Sequence, residues 1–238
     1  MSDPAVIVVK KARLSYSAIF NPRKGQGDDG EDKDPRYSAS LILDKESQAE
    51  MIKSFRRVVR DVAAAKWPNK TVTVKGSGEV ICKADGDGKI VILGSCLKDG
   101  SDKADKDGYG DHVMFISASR GIKDSKGTEL PPLPVIDPKG NKPIDPRSGK
   151  VYDGCFVHAS VRVWAQDNTY GKRINCELRA VAFAEDGTPF GNGPVDTKKE
   201  FGDIVIDDEF GDVNEPAKKP APKKAAPVTS DIDDLDDL

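Results

Sequence analysis

The sequence predicts a mainly β domain, built as a small antiparallel barrel with one long helix and extended loops, and followed by a disordered C-terminal tail. Segments with the two-residue alternation of strands recur along most of the chain, whereas a single segment has helical periodicity. The strand–helix alternation of parallel sheets is absent, which favours a barrel over an α/β sheet. Hydrophobic residues make up 37% of the 238 residues, a fraction consistent with one core and an unpacked segment.

Two strands are predicted near the start of the chain. The first spans Val6–Phe20 and the second Arg36–Leu43, because apolar and polar residues alternate along both. The intervening segment, Asn21–Pro35, is rich in Gly, Asp and Pro and is predicted to be a loop. The predicted inward face of the first strand consists of Val6, Val8, Ala12, Leu14, Tyr16, Ala18 and Phe20.

One long helix is predicted after the second strand. Asp44, or alternatively Ser47, is the predicted N-cap, and the helix runs to about Lys66, where Trp67-Pro68 ends it. Apolar residues recur at helical spacing along this segment, so its basic residues are left toward solvent. These basic residues are Lys53, Arg56, Arg57 and Arg60.

The remaining strands are predicted from shorter alternating segments. They are Thr71–Lys75, Lys89–Leu93, His112–Ser119, Cys155–Gln166 and Lys172–Ala184. The last two are predicted to form a hairpin through Asp167–Gly171.

Charge is distributed unevenly along the chain and indicates two parts. Residues 198–238 hold 6 basic and 12 acidic residues, a net charge of −6, so the rest of a chain whose total is −3 carries +3. Glu215–Val228 is a Pro/Ala/Lys segment that cannot bury a core. We therefore predict one folded domain over residues 1–212 and a flexible linker with an acidic tail over residues 213–238.

The sequence gives no sign of a metal, cofactor or catalytic site. The four cysteines form no C-x-x-C pair, and neither histidine lies at metal-ligand spacing from another ligand. Two Asp/Gly segments, 85–88 and 105–108, resemble fragments of calcium loops, but Lys83 and Lys103 stand where each loop needs its first ligand. Signatures of NTP-binding loops, serine hydrolases and zinc proteases are absent. We expect a protein that is not an enzyme and has no cofactor.

No targeting or membrane segment is predicted. The first residues lead into a strand-like segment rather than a basic and apolar leader, and no apolar stretch reaches the length of a membrane span. We therefore expect a cytoplasmic protein with no membrane partner.

The segment Phe156–Trp164 carries the main functional signal. Its odd positions are small or branched and apolar, as a tightly packed barrel interior requires, while its even positions mix aromatic rings with cations. Such a face is typical of surfaces that bind single-stranded DNA (ssDNA) without reading its sequence, because rings stack on bases and cations neutralise phosphates. The alternative is an ordinary solvent face with Trp164 under a loop. The candidate ssDNA-binding residues are Phe156, Arg162 and Trp164 of this segment, Tyr170 and Lys172 of the hairpin, and Arg173 on the polar face of the paired strand.

Further cations occupy the polar faces or ends of other predicted strands. Each alone fits a solvated surface residue, but together they could line a groove that follows a DNA backbone. The additional candidate contacts are Lys11, Arg13, Arg36, Arg120 and Lys123.

The last eight residues mix acidic and apolar side chains in a regular pattern. Five aspartates surround apolar residues spaced three apart, which is typical of a docking peptide that orders on binding; the alternative is a purely solubilising tail. We also expect this tip to compete with DNA for the domain's own groove. The candidate partner-binding residues are Asp231, Ile232, Asp233, Asp234, Leu235, Asp236, Asp237 and Leu238.

Several blocks of sequence resemble a family of tailed-phage ssDNA-binding proteins. They are residues 13–22, residues 35–43 with the following helix, residues 152–161 and residues 178–191, in the family's order. The resemblance implies an OB-fold and sequence-tolerant ssDNA binding without catalysis. We expect a role in phage DNA replication or recombination in the host cytoplasm, with the acidic tail recruiting replication or recombination proteins. Self-association on DNA stays open, as do a strand-annealing mediator and a metal-dependent nuclease as alternative functions.

Overall fold

The computed structural model describes residues 5–26 and 32–191 of the chain. Within them lies one α-helix, α1 (Ala49–Lys66). The strands are β1 (Ala5–Gln26), β2 (Asp32–Asp44), β3 (Lys70–Val74), β4 (Val80–Cys82), β5 (Gly88–Ile92), β6 (Leu97–Asp99), β7 (Val113–Gly121), β8 (Val135–Asp137), β9 (Lys142–Pro143), β10 (Phe156–Asn168) and β11 (Gly171–Glu185). The mainly β architecture with one long helix and extended loops is thereby confirmed.

Most strands belong to one large sheet, in the order β6-β7-β2-β1-β10-β11-β8-β9, and a smaller sheet has the order β4-β3-β5. The large sheet is not closed by a continuous ladder. The chain just before β6 partly spans the opening, because the Leu93 N–H donates to the Lys172 carbonyl at 2.8 Å and the Ile174 N–H donates to the Gly94 carbonyl at 3.1 Å. The result resembles the partly open barrel of an OB-fold.

The core lies between the large sheet and α1. On β10 the odd positions Val157, Ala159, Val161 and Val163 are completely buried, as their alternation predicted. Helix α1 places Phe55, also completely buried, in the same cluster and contacts β10, β1 and β4. This packing fixes the face of β10 that carries Arg162 and Trp164 on the opposite side of the sheet.

The predicted inward face of β1 is wrong at three positions. Val6, Val8 and Tyr16 are about half exposed, whereas Val9 is completely buried. The register of β1 shifts between Val9 and Ala12 against β10, and again beyond Ser15 against β2. Each bulge adds a residue to one strand and so reverses the alternation. Lys11 and Tyr16 have φ angles of 50° and 47°, which mark the two bulges.

The end of β1 and the start of β2 also differ from the prediction. The predicted loop Asn21–Pro35 is largely strand, since β1 and β2 extend as a two-stranded ribbon paired at Arg23 with Arg36. An exposed ribbon needs no apolar core, so its Gly- and Asp-rich composition does not prevent pairing.

The predicted helix N-cap is wrong as well. Asp44 accepts the Ser47 N–H at 2.7 Å within a turn, and Gln48 is the N-cap without a side-chain capping bond. The helix ends at Lys66, where the sequence placed its end.

The other long strands agree with the sequence to within two residues, and a two-residue turn joins β10 to β11 within the predicted hairpin. Four short strands, β4, β6, β8 and β9, were not predicted, since three residues or fewer carry no periodic signal. The predicted division at residues 212/213, the linker and the acidic tail lie outside the described residues.

Candidate nucleic-acid interface

A cleft of about 900 Å³ lies beside the outer face of the large sheet. Its floor includes two identical tripeptides, Ser38-Ala39-Ser40 of β2 and Ser117-Ala118-Ser119 of β7. These pair antiparallel, so that Ser38 lies opposite Ser119 and Ser40 opposite Ser117. The alternation turns both alanines into the core and the serines toward the cleft, where Ser38, Ser117 and Ser119 are partly exposed and Ser40 is buried. Small side chains allow a bound chain to approach the sheet closely.

The hairpin of β10 and β11 supplies the opposite wall of the cleft. Trp164 and Arg173 line it, and Trp164 pairs across the strands with Asn175. Trp164 is 38% exposed, so part of its indole rests on protein while the rest is open to a ligand. The Asn175 amide donates to the Gln166 Oε1 at 2.9 Å, which fixes the polar surface next to the ring.

A second aromatic ring, that of Tyr16, also lines the cleft. The bulge turns Tyr16 outward, where its ring lies 6.1 Å from that of Tyr109. The Lys103 Nζ lies 4.4 Å from the Tyr16 ring centroid and 4.9 Å from that of Phe115. Burial and the neighbouring Lys98 lower the pKa of the Lys103 ammonium. Tyr16 is therefore held in place by a packed cluster of aromatic rings around a lysine.

Cations surround the serine floor and the rings. Arg36, Lys75, Lys98 and Arg173 line the cleft, and none of them makes an ion pair with another described residue. The Arg36 Nε donates to the Ser119 Oγ at 3.3 Å, which leaves the terminal nitrogens available. The cleft therefore offers four cations to a ligand of opposite charge.

Three carboxylates, those of Glu79, Asp99 and Asp102, share the cleft with these cations. The Lys45 Nζ neutralises Asp99 at 2.7 Å. Burial opposes ionisation of Asp99, but hydrogen bonds from Lys45 and Ser101 outweigh it and lower the pKa of its carboxyl from 3.8 to about 2.

Of the eleven predicted DNA-binding residues, the structure brings Arg36, Trp164 and Arg173 together in this cleft. Arg13 lies elsewhere and is engaged within the protein. Its guanidinium donates to the carbonyls of Gly154 at 3.2 Å and Thr188 at 2.7 Å, and lies 4.1 Å from the Phe190 ring centroid. Arg13 therefore fixes the segment after β11 against the start of β10.

Arg120 lies on the opposite face of β7 from the serines. It donates to the Pro131 carbonyl and lies 5.9 Å from the ring centroid of Tyr37, which is buried in the core. Strand parity decides this placement, because Arg120 pairs with Tyr37 while Arg36 pairs with Gly121.

Three predicted cations form ion pairs outside the cleft. Lys11 pairs with Glu185 at 3.1 Å, Lys172 with Asp167 at 2.6 Å, and Arg162 with its cross-strand neighbour Glu177. Arg162 nevertheless shares a strand face with Trp164, two residues away. Outside the cleft too are the exposed Lys123, the half-buried Phe156 and Tyr170, which is 82% exposed at the hairpin turn.

Sequence reasoning missed several residues of this cleft. Tyr16 was assigned to the core because the bulge cannot be read from alternation. Lys75 lies just beyond the end of β3, and Lys98 belongs to the three-residue strand β6, which was not predicted. One signal was available: the tripeptide Ser-Ala-Ser occurs in both β2 and β7, each time within two residues of an arginine. Matching faces of small polar side chains on two strands indicate a surface that a bound ligand can approach closely.

Within residues 5–26 and 32–191, no group of three or more His, Cys, Asp or Glu side chains could hold a metal ion. The helix among them is not long and apolar enough to cross a membrane.

Residues 5–211 match the family model described as the ssDNA-binding protein of Enterobacter phage Enc34. The chain belongs to this family. The resemblance to phage ssDNA-binding proteins that the sequence blocks indicated is thus confirmed.

Individual proteins agree with the Enc34 family assignment. Putative protein p50 of Acyrthosiphon pisum secondary endosymbiont phage 1 is 27% identical over 203 residues, which cover 85% of this chain and 96% of that protein. The ssDNA-binding protein of bacteriophage Enc34 in complex with ssDNA is 26% identical, with a TM-score of 0.57 over 78% of this chain and 89% of that chain. Another structure of the Enc34 protein, 23% identical with a TM-score of 0.54 over 82% of this chain and 89% of that chain, shares the fold.

Proposed function

We propose that this protein binds ssDNA in the cleft between the serine floor and the β10–β11 hairpin, without reading its sequence. The observation that carries the proposal is the combination, in one cleft, of two exposed aromatic rings with four cations that have no carboxylate partner among the described residues. Membership in the Enc34 family and the similarity to an Enc34 protein in complex with ssDNA support it.

Each part of the cleft has a separate task in this proposal. Trp164 and Tyr16 stack on unpaired bases, and since every base has a π-face the contact tolerates any sequence. Arg36 and Arg173 neutralise phosphates and release counterions, which supplies most of the salt-dependent affinity. The partly exposed hydroxyls of Ser38, Ser117 and Ser119 donate to phosphate or sugar oxygens and position the strand. No bond is made or broken, so the protein acts by binding alone.

The biological role follows from such a coating. Protein bound along exposed ssDNA protects it from nucleases and keeps it from refolding during phage DNA replication or recombination. The acidic tip, residues 230–238 at the end of a flexible segment beyond a domain of residues 1–212, recruits replication or recombination proteins. Its support is the sequence itself, in which five aspartates flank Ile232, Leu235 and Leu238. Deleting residues 230–238 is expected to leave ssDNA coated but to stop a phage polymerase or helicase from co-migrating with it.

A titration of labelled oligo(dT) and of duplex DNA at several salt concentrations tests the binding proposal. We expect ssDNA to bind more tightly than duplex at every salt concentration, because a duplex hides the base faces that the two rings require. Affinity for ssDNA should fall by roughly 0.7 log units per log unit of salt for each phosphate neutralised. Equal affinity for both forms would reject the stacking cleft.

A further inference from the structure

Two cysteines lie where the large sheet is open, at the contact between β11 and the chain just before β6. The centre of this contact, which we call the seam, is an isolated parallel bridge between Ser95 and Ile174. Cys96 directly follows Ser95, and Cys176 lies two residues after Ile174. Because the two segments run in parallel, the cysteines stand on neighbouring segments with an offset of one residue.

The separation of Cys96 and Cys176 suits a disulfide. Neighbouring strands lie about 4.8 Å apart and advance about 3.3 Å per residue, so an offset of one residue places two Cα atoms about 6 Å apart. A disulfide spans Cα atoms that are about 4.4–6.8 Å apart. Both side chains are buried in the same hydrophobic cluster, and the Cys176 thiol is hydrogen-bonded to the Cys96 thiol. The two sulfurs are therefore already in contact in the folded domain.

The pair also lies between the two sides of the DNA cleft, and both cysteines line it. The Cys96 carbonyl accepts the Ser117 N–H at 2.9 Å, which attaches Cys96 to the serine floor. Cys176 follows Asn175, the cross-strand neighbour of Trp164, and so belongs to the hairpin wall. A bond between the two sulfurs would link the serine floor to the hairpin wall.

The other two cysteines of the chain provide internal controls. Neither Cys82 nor Cys155 lines the cleft. The Cys82 thiol donates to the Lys70 carbonyl at 3.6 Å within the smaller sheet, and Cys155 is completely buried just before β10. All four cysteines are free thiols, so a reagent that reacts with cysteines in general would also modify these two.

We propose that Cys96 and Cys176 form a modification site, at which a small disulfide such as oxidised glutathione converts the two thiols into a disulfide that closes the seam covalently. One cysteine thiolate attacks the small disulfide, which forms a mixed disulfide and releases the first glutathione. The other cysteine sulfur then attacks the protein sulfur of the mixed disulfide, and the second glutathione leaves. The two protein thiols thereby lose two electrons and two protons, which are taken up by the two released glutathione molecules.

The surroundings of the pair determine the rate of this exchange and its effect on stability. The hydrogen bond to Cys96, together with burial, raises the pKa of the Cys176 thiol well above its ordinary value. Exchange should therefore be slower than at an exposed cysteine, because the thiolate is the reactive form. The bond closes a loop of about 80 residues, and a cross-link of this kind stabilises a folded protein by restricting the unfolded chain.

Peptide mass spectrometry of the full-length protein tests the proposal. The reduced protein is incubated with oxidised glutathione, alkylated in denaturant and digested without reduction. We expect one internal disulfide, between Cys96 and Cys176, with Cys82 and Cys155 still alkylated. The urea midpoint of the oxidised protein should exceed that of the reduced protein, and dithiothreitol should reverse the difference.

Substitutions of single cysteines add a matched comparison. Cys82→Ser should form the internal disulfide at the rate of the unmodified protein, whereas Cys96→Ser should stop at the mixed disulfide or stay reduced. Urea unfolding of both reduced variants shows whether they fold. The peptide map of the unmodified protein needs no substitution, so it decides the question even if Cys96→Ser is unstable.

Three results would overturn the pair as a modification site. They are a Cys96 and a Cys176 that both stay alkylated after prolonged incubation, a disulfide that involves Cys82 or Cys155 instead, and mixed disulfides that never proceed to the internal bond. An unchanged or lowered urea midpoint would reject covalent closure of the seam.

Bound ssDNA should slow formation of the disulfide, by roughly threefold or more, because a strand in the cleft covers both thiols. This expectation alone rests on the proposed function, and it is measured with saturating oligo(dT) in the glutathione incubation. An internal disulfide that forms at the same rate with oligo(dT) would count against the cleft as the DNA site, while its formation would still confirm the cysteine pair.

Discussion

Replacing Trp164 by alanine removes the larger ring of the cleft without changing any charge. The exposed 38% of this side chain is the part that a base can cover. For a side chain of about 250 Å² that is roughly 95 Å², and at about 25 cal/mol per Å² its burial contributes about 2.4 kcal/mol. Alanine substitution at stacking sites in other ssDNA-binding proteins costs about 1–3 kcal/mol per base, in agreement with this value.

We therefore expect Trp164→Ala to raise the dissociation constant for oligo(dT) by roughly thirtyfold, the equivalent of about 2 kcal/mol. The dependence of affinity on salt should not change, because no phosphate contact is lost. Trp164→Phe retains a ring and should recover most of the affinity. Urea unfolding of each variant shows whether the domain is intact.

The two tryptophans of the chain provide an independent assay. Trp67 is 6% exposed, and its indole N–H donates to Asp167 at 2.8 Å, so it is shielded from a ligand. Quenching of tryptophan fluorescence by ssDNA should thus be lost in Trp164→Phe, where Trp67 alone remains. Quenching that persists in Trp164→Phe, or normal affinity in a folded Trp164→Ala, would show that Trp164 is not the stacking residue.

Four other substitutions test phosphate contacts, folding stability and the pH dependence of stability. Arg36→Ala and Arg173→Ala should each lower the slope of log affinity against log salt by about 0.7, measured by fluorescence anisotropy, and unchanged slopes would remove both from the phosphate path. Arg13→Ala should instead lower the free energy of unfolding, measured in urea, by about 1–3 kcal/mol, because two charged hydrogen bonds and the Phe190 contact are lost. The slope of log affinity against log salt should not change in this variant. Asp99→Asn should lower the urea midpoint at pH 6. Because the pKa of Asp99 is lowered from 3.8 to about 2, its carboxylate stabilises the fold above about pH 4, and this stabilisation is lost as the pH falls toward 2. The difference in urea midpoint between the variant and the unmodified protein should therefore shrink over that window. A difference independent of pH would assign it to packing.

Most of the elements that were predicted correctly are long segments with a regular apolar period. β10 and β11 agreed with the sequence because many consecutive residues supply the same two-residue signal. The end of α1 agreed because apolar residues recur at helical spacing through most of its 18 residues. β1 failed where Lys11 and Tyr16 adopt positive φ, since a bulge reverses the alternation and leaves no periodic trace. The order of strands in the sheet depends on long-range pairing, which no local pattern encodes.

The part of the candidate site that was predicted correctly also depends on strand alternation. Trp164, Arg173 and Arg36 came from strand parity, and they meet in one cleft. Parity gave no information on ion pairing, so it could not show that Glu177 neutralises Arg162 or that Arg13 holds the segment after β11. Lys98 belongs to a strand of three residues, too short for a periodic signal, and it becomes part of the surface only through tertiary packing.

Photo-cross-linking maps the DNA path most directly. Oligo(dT) carrying iodouracil, which couples to an aromatic side chain stacked on it, is irradiated with the full-length protein, and the adducts are located by mass spectrometry. We expect adducts at Trp164 and Tyr16, the two rings that line the cleft, and their loss when unlabelled ssDNA competes. Adducts confined to rings outside the cleft, such as Phe156 or Tyr152, with none at Trp164 or Tyr16, would contradict the cleft as the ssDNA-binding site.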